Sequence, residues 1–592
     1  MLRHNGLFLS ALLVCLAGLL AGLNGCGGSS STTAGVVTPS YTLAATALNP
    51  ASVGAGSAAT STITVTPADG YTGSVSLSCS KITGGTPAPT CSFSVSPVAI
   101  SGTVPVSSTL TVSTSSGVPA GNFAITVAGS DAKELTPSNG PQALSLTTSS
   151  IIQHVVIIFQ ENRTPDNLFQ DPVLVARGAD IAASGKNSNS PTGITTLTPT
   201  TLVTNYDLSH AHAAFVTSYN NGNMDGANLI SVTCPAPCSP PVPPNVEYQY
   251  VQASDVQPYF KLAETYTFGD RMFQTNQGPS FPAHQYIISG TSMASTESTA
   301  PSNFFAAENT SGVANGNSDT GCTAPPAEFV GLIDTTNMDS TTNETTAAYP
   351  CYDHPTLTDL LDQNNISWKY YTPSAGSIWT GPNAISHMCG PNAAPPNATA
   401  CTGSDWTNHV VLNQTQILTD VTSGQLPAVS WVIPDGNESD HALGTDGSGP
   451  SWVASVVNAI GGSKYWANTA IIVTWDDWGG WYDHVVPPVS TTNSYQIGFR
   501  VPLIVVSPYA KAAYISHQQH DFGSILKFIE TTFDLPTIAP TSPYPYADVS
   551  ADDLSDCFNF GQTPLKFQAI PAALGASHFL NDKRPRTDPD DD

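Results

Sequence analysis

The sequence predicts an α/β protein. A mostly parallel sheet flanked by helices fills residues 150–581, behind an N-terminal β-sandwich of immunoglobulin type at 41–147. Three observations carry this. Apolar runs such as HVVIIFQ and AIIVTW are β-branched on both faces, the mark of strands buried on both sides. From residue 151 onward such runs alternate with helical patterns. Before it, short alternating runs are separated by Gly, Pro and Asn turns.

In the N-terminal region the runs are STITVTP, GSVSLSCS, CSFSVSP, STLTVSTS, NFAITVAGS and QALSLTT. The segment has no His and few acids, so a spacer or a sugar-contacting module is its expected role. In the second region the strand candidates are VVIIFQ, HQYIIS, ISWKYY, AVSWVI, AIIVTW and VPLIVVSP. Two helix candidates are HPTLTDLLDQNN, with Leu357, Leu360 and Leu361 at helical spacing, and DFGSILKFIETTF, with Ile525, Leu526, Phe528 and Ile529. Residues 183–204 and 298–350 are rich in Thr, Asn, Ser and Gly and read as surface insertions. Residues 582–592 read as a disordered tail.

Residues 1–25 carry Arg3 and His4 before an apolar stretch, Leu7 to Leu23, which fits a signal peptide. Cys26 follows Gly25 and precedes a Gly/Ser/Thr-rich tether, residues 26–40. The pattern resembles a bacterial lipoprotein signal, which implies cleavage before Cys26 and a lipid anchor in the cell envelope. Eleven cysteines are present. Export favours disulfides. The close pairs Cys79 with Cys91, Cys234 with Cys238, Cys322 with Cys351 and Cys389 with Cys401 leave Cys557 over, although spacing alone does not fix connectivity. Net charge is −27, from 17 basic and 44 acidic residues, and the basic cluster that a nucleic-acid partner requires is missing. The same acidity repels an anionic substrate at long range, so local cations must compensate.

Chemistry concentrates where buried strands stop. HVVIIFQ runs into Glu161 and Asn162, and AIIVTW into Asp476 and Asp477. In an open α/β sheet, ligands gather outside the carboxyl ends of the strands. An adjacent Asp pair by itself reads as a turn or a cap. Two acid-bearing strand ends together read as oxygen ligands for a divalent metal ion.

Further blocks make the pattern specific. QENRTPDNLF, DLSHAHAAFVTSYNNGNMDG, FGDRMFQTNQGPSFPAHQYIISG and PTLTDLLDQNNISWKYY occur in that order. LPAVSWVIPDGNESDH, WDDWGGWYDHVVPP, GFRVPLIVVSPYAK and SILKFIETTF follow them. Over about residues 150–565 the chain resembles the bacterial phosphoesterase family that contains phospholipases C and related acid phosphatases. The resemblance implies an alkaline-phosphatase-like core and hydrolysis of phosphate esters, with a phosphate monoester or a phospholipid as substrate. It implies Glu161, Asn162, Asp476 and Asp477 as metal ligands and Ser280, in Gly278-Pro279-Ser280, as the covalent nucleophile. It implies phosphoryl-binding or proton-donating roles for His210, His387 and His441, with His484 in support. Ala283-His284 stands where many relatives carry Asn-Arg, a departure at a substrate-contact position. Phe522 replaces a family histidine, with His520 nearby. Sulfatase chemistry on the same core requires an Arg that the Ser280 segment lacks. The alternative from another class is a cell-surface binding lipoprotein with an inactive phosphoesterase fold. The Trp-rich stretch around Trp475, Trp478 and Trp481 reads either as an apolar entrance for lipid or as core.

Overall fold

The computed structural model describes residues 38–115, 118–294, 304–312, 319–334, 344, 346–489, 495–541 and 546–586. The expected signal peptide, Cys26 and most of the tether lie outside the described residues.

The second region is organised by an eight-stranded sheet. Its strands along the chain are β1 (His154–Gln160), β2 (Thr267–Gly269), β3 (Trp368–Tyr371), β4 (Val410–Val411), β5 (Val429–Val432), β6 (Thr469–Trp475), β7 (Leu503–Val506) and β8 (Tyr514–Ser516). Their order across the sheet is β4-β3-β5-β1-β6-β7-β2-β8. From β4 to β6 every pairing is parallel. β7 is antiparallel to both β6 and β2, and β2 is parallel to β8. The strands β1, β2, β3, β5 and β6 therefore all present their carboxyl ends at one edge. β1 is central, and every residue of β6 is buried. Their β-branched side chains suit a sheet covered on both faces.

The side-chain alternation decides what covers each face. Phe159 near the end of β1 meets the His284 ring at 4.8 Å and the Phe522 ring at 5.2 Å. These belong to two helices that pack on each other, α2 (Ser280–Ser289) and α5 (Phe522–Phe533). Trp475 points to the opposite face and meets Tyr259 edge-on at 5.1 Å. Tyr259 lies on α1 (Gln257–Thr265), which packs on α4 (Gly449–Gly461). A sheet between two helical layers results. α5 has a capping box between Asp521 and Ser524. The other expected helix forms as α3 (Leu357–Gln363), capped by Thr356 with Asp359.

Three expectations need correction. HQYIIS is not a strand but the second half of α2, all of whose residues are buried. A short apolar run has no period that separates a buried strand from a buried helix. Part of 298–350 is not a surface insertion: Phe304–Thr310, Val330–Asp334 and Thr346–Ala348 form a three-stranded antiparallel sheet. Phe305, Leu332 and Ile333 of that sheet sit in the core. Residues 582–586, expected within the tail, are bonded to the body. Arg584 Nη1 donates to Asp446 Oδ2 at 2.7 Å, and Arg586 Nη1 donates to Pro373 O at 2.7 Å.

In the N-terminal region five of the six runs lie largely in strands, and of CSFSVSP only Cys91 to Phe93 do; the strands form a four-stranded and a five-stranded sheet. Alternate residues such as Phe123, Ile125 and Val127 turn inward to a core with Tyr41, Ile63 and Leu110. Cys79–Cys91 joins a strand of one sheet to a strand of the other. The remaining disulfides are Cys234–Cys238, Cys322–Cys351 and Cys389–Cys401. Among the described residues, Cys557 is the free cysteine.

Because Ile472 is fully buried in β6, Ile472→Ala is expected to cost about 2–5 kcal/mol of stability. Denaturant unfolding measures it; a loss under about 1 kcal/mol contradicts a close-packed central sheet.

Candidate active site

Strand register builds the centre. Gln160 of β1 is paired with Trp475 of β6, and Asp476 N donates to Gln160 O at 2.9 Å. Glu161 and Asp476 thus leave the sheet side by side, although they are far apart in sequence. Both are fully buried. The helix that covers this face begins at Ser280, and Ser280 Oγ–H donates to Asp476 Oδ2 at 2.5 Å. Asp477 Oδ2 lies 3.5 Å from the same hydroxyl. Ser280 follows β2, whose carboxyl end shares the edge. At the N-terminus of α2 the hydroxyl lies at the positive end of the helix dipole.

Two backbone features hold the carboxylates. Asn162 adopts φ 62°, a left-handed conformation that Asn tolerates better than most residues, and its N–H donates to Asp476 Oδ1 at 2.9 Å. The same oxygen accepts the Asp477 N–H at 2.7 Å, and Asp477 Oδ1 accepts the Gly479 N–H at 2.7 Å. Gly479 has φ 62°, and a Cβ there would stand 2.3 Å from Asn162 O. Only glycine permits the two loops to approach this closely.

Histidines frame the carboxylates. His210 Nδ1–H donates to Leu208 O at 2.8 Å, so the neutral ring carries its lone pair on Nε2. Asn162 Nδ2 donates to that nitrogen at 3.0 Å. This fixes the amide: Oδ1 turns away from His210, and it is buried without a hydrogen-bond partner among the described residues. His441, on the loop after β5, donates from Nδ1 to Ala442 O at 2.6 Å, which likewise places the lone pair on Nε2. The two rings stand edge-to-face at 5.7 Å.

His284 is the residue that sequence reasoning missed as a member of the acid cluster. One helical turn after Ser280, it projects from the same face of α2. Its Nε2 lies 3.2 Å from Glu161 Oε1, and its Nδ1 3.3 Å from the Tyr370 hydroxyl. Tyr370 spends its proton on Trp379 O at 2.8 Å, so His284 donates from Nδ1. A neutral ring then turns its Nε2 lone pair on a carboxylate, which calls for a cation between them or a proton on the ring. Glu161, His284 and Asp476 bring ligand atoms within 4.8 Å of one another. The orphaned Asn162 Oδ1, this lone pair and three buried carboxyl groups suit a hard or borderline divalent cation. The donor set fits such an ion.

His387 is not brought to this cluster. Its Nδ1 donates to Asp353 Oδ1 at 2.6 Å and its Nε2 lies 3.4 Å from Asp359 Oδ1, with the side chain 28% exposed. Partial burial disfavours its charge, but the hydrogen bonds to the two aspartates prevail and raise its pKa to about 10. Trp475, Trp478 and Trp481 are at most 1% exposed, which makes them core and not an entrance.

The two acid-bearing loops are clamped behind the site. Thr164 Oγ1 donates to Tyr482 O at 2.9 Å. Arg163 donates to Asp440 O from Nε at 2.8 Å and from Nη2 at 2.6 Å, and lies 4.9 Å over the Trp481 ring. One guanidinium thus joins the Glu161, His441 and Asp476 loops. Asp440 itself accepts from Tyr259 Oη at 2.8 Å and Trp475 Nε1 at 3.0 Å; burial pushes its pKa up to about 6 against these bonds and the nearby Arg163 charge. Arg500 Nε meets both oxygens of Asp483, at 3.0 and 3.1 Å. His484 donates from Nδ1 to Asp166 Oδ2 at 2.7 Å and lies 3.0 Å from Asp180 Oδ1. Burial opposes its charge, but the bond to Asp166 and the charges of Asp166 and Asp483 outweigh it and lift the pKa to about 9.

The family model described as "Phosphoesterase family" matches residues 152–536. A non-hemolytic phospholipase C of Burkholderia pseudomallei (strain K96243) is 29% identical over 273 residues, covering 38% of this chain and 38% of the relative. Phospholipase C B of Mycobacterium tuberculosis is 27% identical, covering 35% of this chain and 44% of the relative. A hemolytic phospholipase C of Pseudomonas aeruginosa is 25% identical over 465 residues, covering 69% of this chain and 56% of the relative. The matched part of this chain thus spans less than two thirds of each relative's length.

Since His484 has a folded-state pKa above its unfolded value, its stabilising charge is complete below about pH 6.5 and is lost as pH rises through about 9. Melting temperatures of the wild type and His484→Gln are therefore expected to converge between about pH 6.5 and about pH 10. An equal gap at both ends contradicts the charged clamp.

Proposed function

This chain belongs to the phosphoesterase family, and we propose that it is a metal-dependent phosphoric ester hydrolase with Ser280 as its nucleophile. The observation that carries the reading is the 2.5 Å hydrogen bond from Ser280 Oγ to Asp476, made where two acid-bearing strand ends meet. Glu161, Asn162 Oδ1, His284 Nε2, Asp476 and Asp477 are the residues that would hold the cation. When bound, it neutralises phosphoryl-oxygen charge and lowers the proton affinity of the hydroxyl beside it.

The chain's own groups then act as follows. Asp476 accepts the Ser280 hydrogen bond, which orients the oxygen and takes up its proton as attack begins. The Oγ–P bond forms while the P–O bond to the alcohol breaks in line. His441 acts here in its doubly protonated form, with a second proton on Nε2, and gives that proton to the departing oxygen. Its Nδ1–H bond to Ala442 O fixes the ring so that Nε2 performs this exchange. His210 is held by Leu208 and in turn orients Asn162. Water then attacks phosphorus of the phosphoserine and gives a proton to the Nε2 lone pair that His441 has regained; the P–Oγ bond breaks, phosphate leaves, and Ser280 takes back the proton held by Asp476. His387 takes no step in this scheme; its own bonds go to Asp353 and Asp359.

We read the chain as phospholipase C-like, since the curated relatives bear that name, with an acid phosphatase-like preference for monoesters as the other subclass. The alkaline-phosphatase-like assignment of the core and the immunoglobulin-like assignment of the N-terminal region belong to the same reading. So do export and a lipid anchor at Cys26. No helix of the described residues is long and apolar enough to cross a membrane.

Ser280→Ala is expected to lower hydrolysis on the order of 10⁴-fold or more while the fold persists. The assay compares p-nitrophenyl phosphate with p-nitrophenylphosphorylcholine, with and without chelator. Near-wild-type turnover in Ser280→Ala overturns the covalent role. A metal-loaded wild type inert toward both esters favours the binding-protein alternative. His284→Ala is expected to raise the concentration of divalent cation needed for half-maximal activity roughly 10–100-fold. An unchanged requirement removes His284 from the cation site.

A further inference from the structure

Cys557 is left over in a chain whose other described cysteines are paired, and it lies in a cluster outside the proposed catalytic centre. It sits in the 3₁₀ turn Ser555–Cys557, against β8, the sheet's edge strand, and the turn into α5. Its Sγ is 3.9 Å from His520 Nε2 and 3.5 Å from Asp556 Oδ1, and those two atoms are 3.4 Å apart. A near-regular triangle of sulfur, nitrogen and oxygen results. Three ligands on a tetrahedral zinc ion stand about 3.3–3.6 Å from one another, given bond lengths of about 2.0–2.3 Å.

Proton bookkeeping points the same way. His520 Nδ1–H donates to Asp552 Oδ1 at 2.9 Å, and Asp552 is itself held by Ser524 Oγ at 2.5 Å and Leu554 N at 3.2 Å. The neutral ring therefore aims its Nε2 lone pair into the cluster, although His520 is only 1% exposed. Ser516 Oγ is 3.1 Å from Nε2, but its single proton goes to Asp556. A buried lone pair is thus left facing a carboxylate oxygen and a thiol. A carboxylate that fixes a histidine tautomer from behind, as Asp552 does, is the usual support of a zinc ligand.

We propose that Cys557, His520 and Asp556 bind a zinc ion, with the fourth position left to solvent. Metal binding displaces the thiol proton and forms a zinc–thiolate bond. The ion staples the C-terminal segment to the sheet edge. That junction already carries a backbone bond, from Lys511 N–H to Cys557 O at 2.9 Å, and the Thr267 hydroxyl lies 3.0 Å from both Cys557 O and Lys511 O. The metal also explains an unpaired cysteine in a chain read as exported.

Cobalt separates this site from the proposed catalytic one, whose donors are oxygen and nitrogen only. Full-length protein is stripped with chelator, loaded with Co²⁺ and examined by absorption. A thiolate-to-cobalt charge-transfer band in the near ultraviolet is expected for wild type and not for Cys557→Ser. Zinc-loaded wild type is expected to retain one equivalent more than Cys557→Ser. Folded, cobalt-loaded wild type without the band overturns the proposal, and that measurement requires no variant.

Discussion

Two parallel strands that end in register with acidic residues set the terms for the rest of the domain. The pairing of Gln160 with Trp475 delivers Glu161 and Asp476 to one point, and Asp477 follows at once. All three are fully buried. Carboxylates crowded out of water repel one another and lose hydration, so a fold keeps them together only with compensation. The compensation is visible around them as amide and hydroxyl donors: Asn162 N, Asp477 N, Gly479 N and Ser280 Oγ. Three of these donors depend on a local peculiarity: the left-handed Asn162, the Cβ-free Gly479 and, for Ser280, the start of a buried helix.

The packing behind this point reads as a consequence. Arg163 is spent on Asp440 and Trp481, and Arg500 on Asp483, Asp166 and two backbone carbonyls. Neither guanidinium has a described bond to Glu161, Asp476 or Asp477. Both instead tie together the loops that bear those acids. The division is physically sensible: a buried arginine paired directly with the acids would occupy the position that the proposed cation and phosphoryl group would share.

Much of this arrangement was legible in the sequence. The apolar runs that become β1 and β6 announce doubly covered strands, and the acids at their ends announce a shared edge. Block order indicated Ser280 and His441. His284 was hidden for a specific reason. As a sequence HQYIIS suits a strand that begins at His284 and leaves Ser280 outside it, with no reason for the two to share a ligand. As a helix the same residues stand one turn apart on one face. The available signal was Pro279 before Ser280, a helix-start residue ahead of an ambiguous apolar run. His387 illustrates the opposite failure. Block order implies it for the site, whereas its bonds go to Asp353 and Asp359, partners that sequence order does not mark.

An anomalous-difference map from crystals soaked in Mn²⁺ tests the central claim most directly. One peak is expected within coordination distance of Glu161, Asn162 Oδ1 and the Asp476–Asp477 pair, beside Ser280 Oγ. Ordered protein in which that position stays empty at saturating Mn²⁺, with Ser280 still bonded to Asp476, contradicts it.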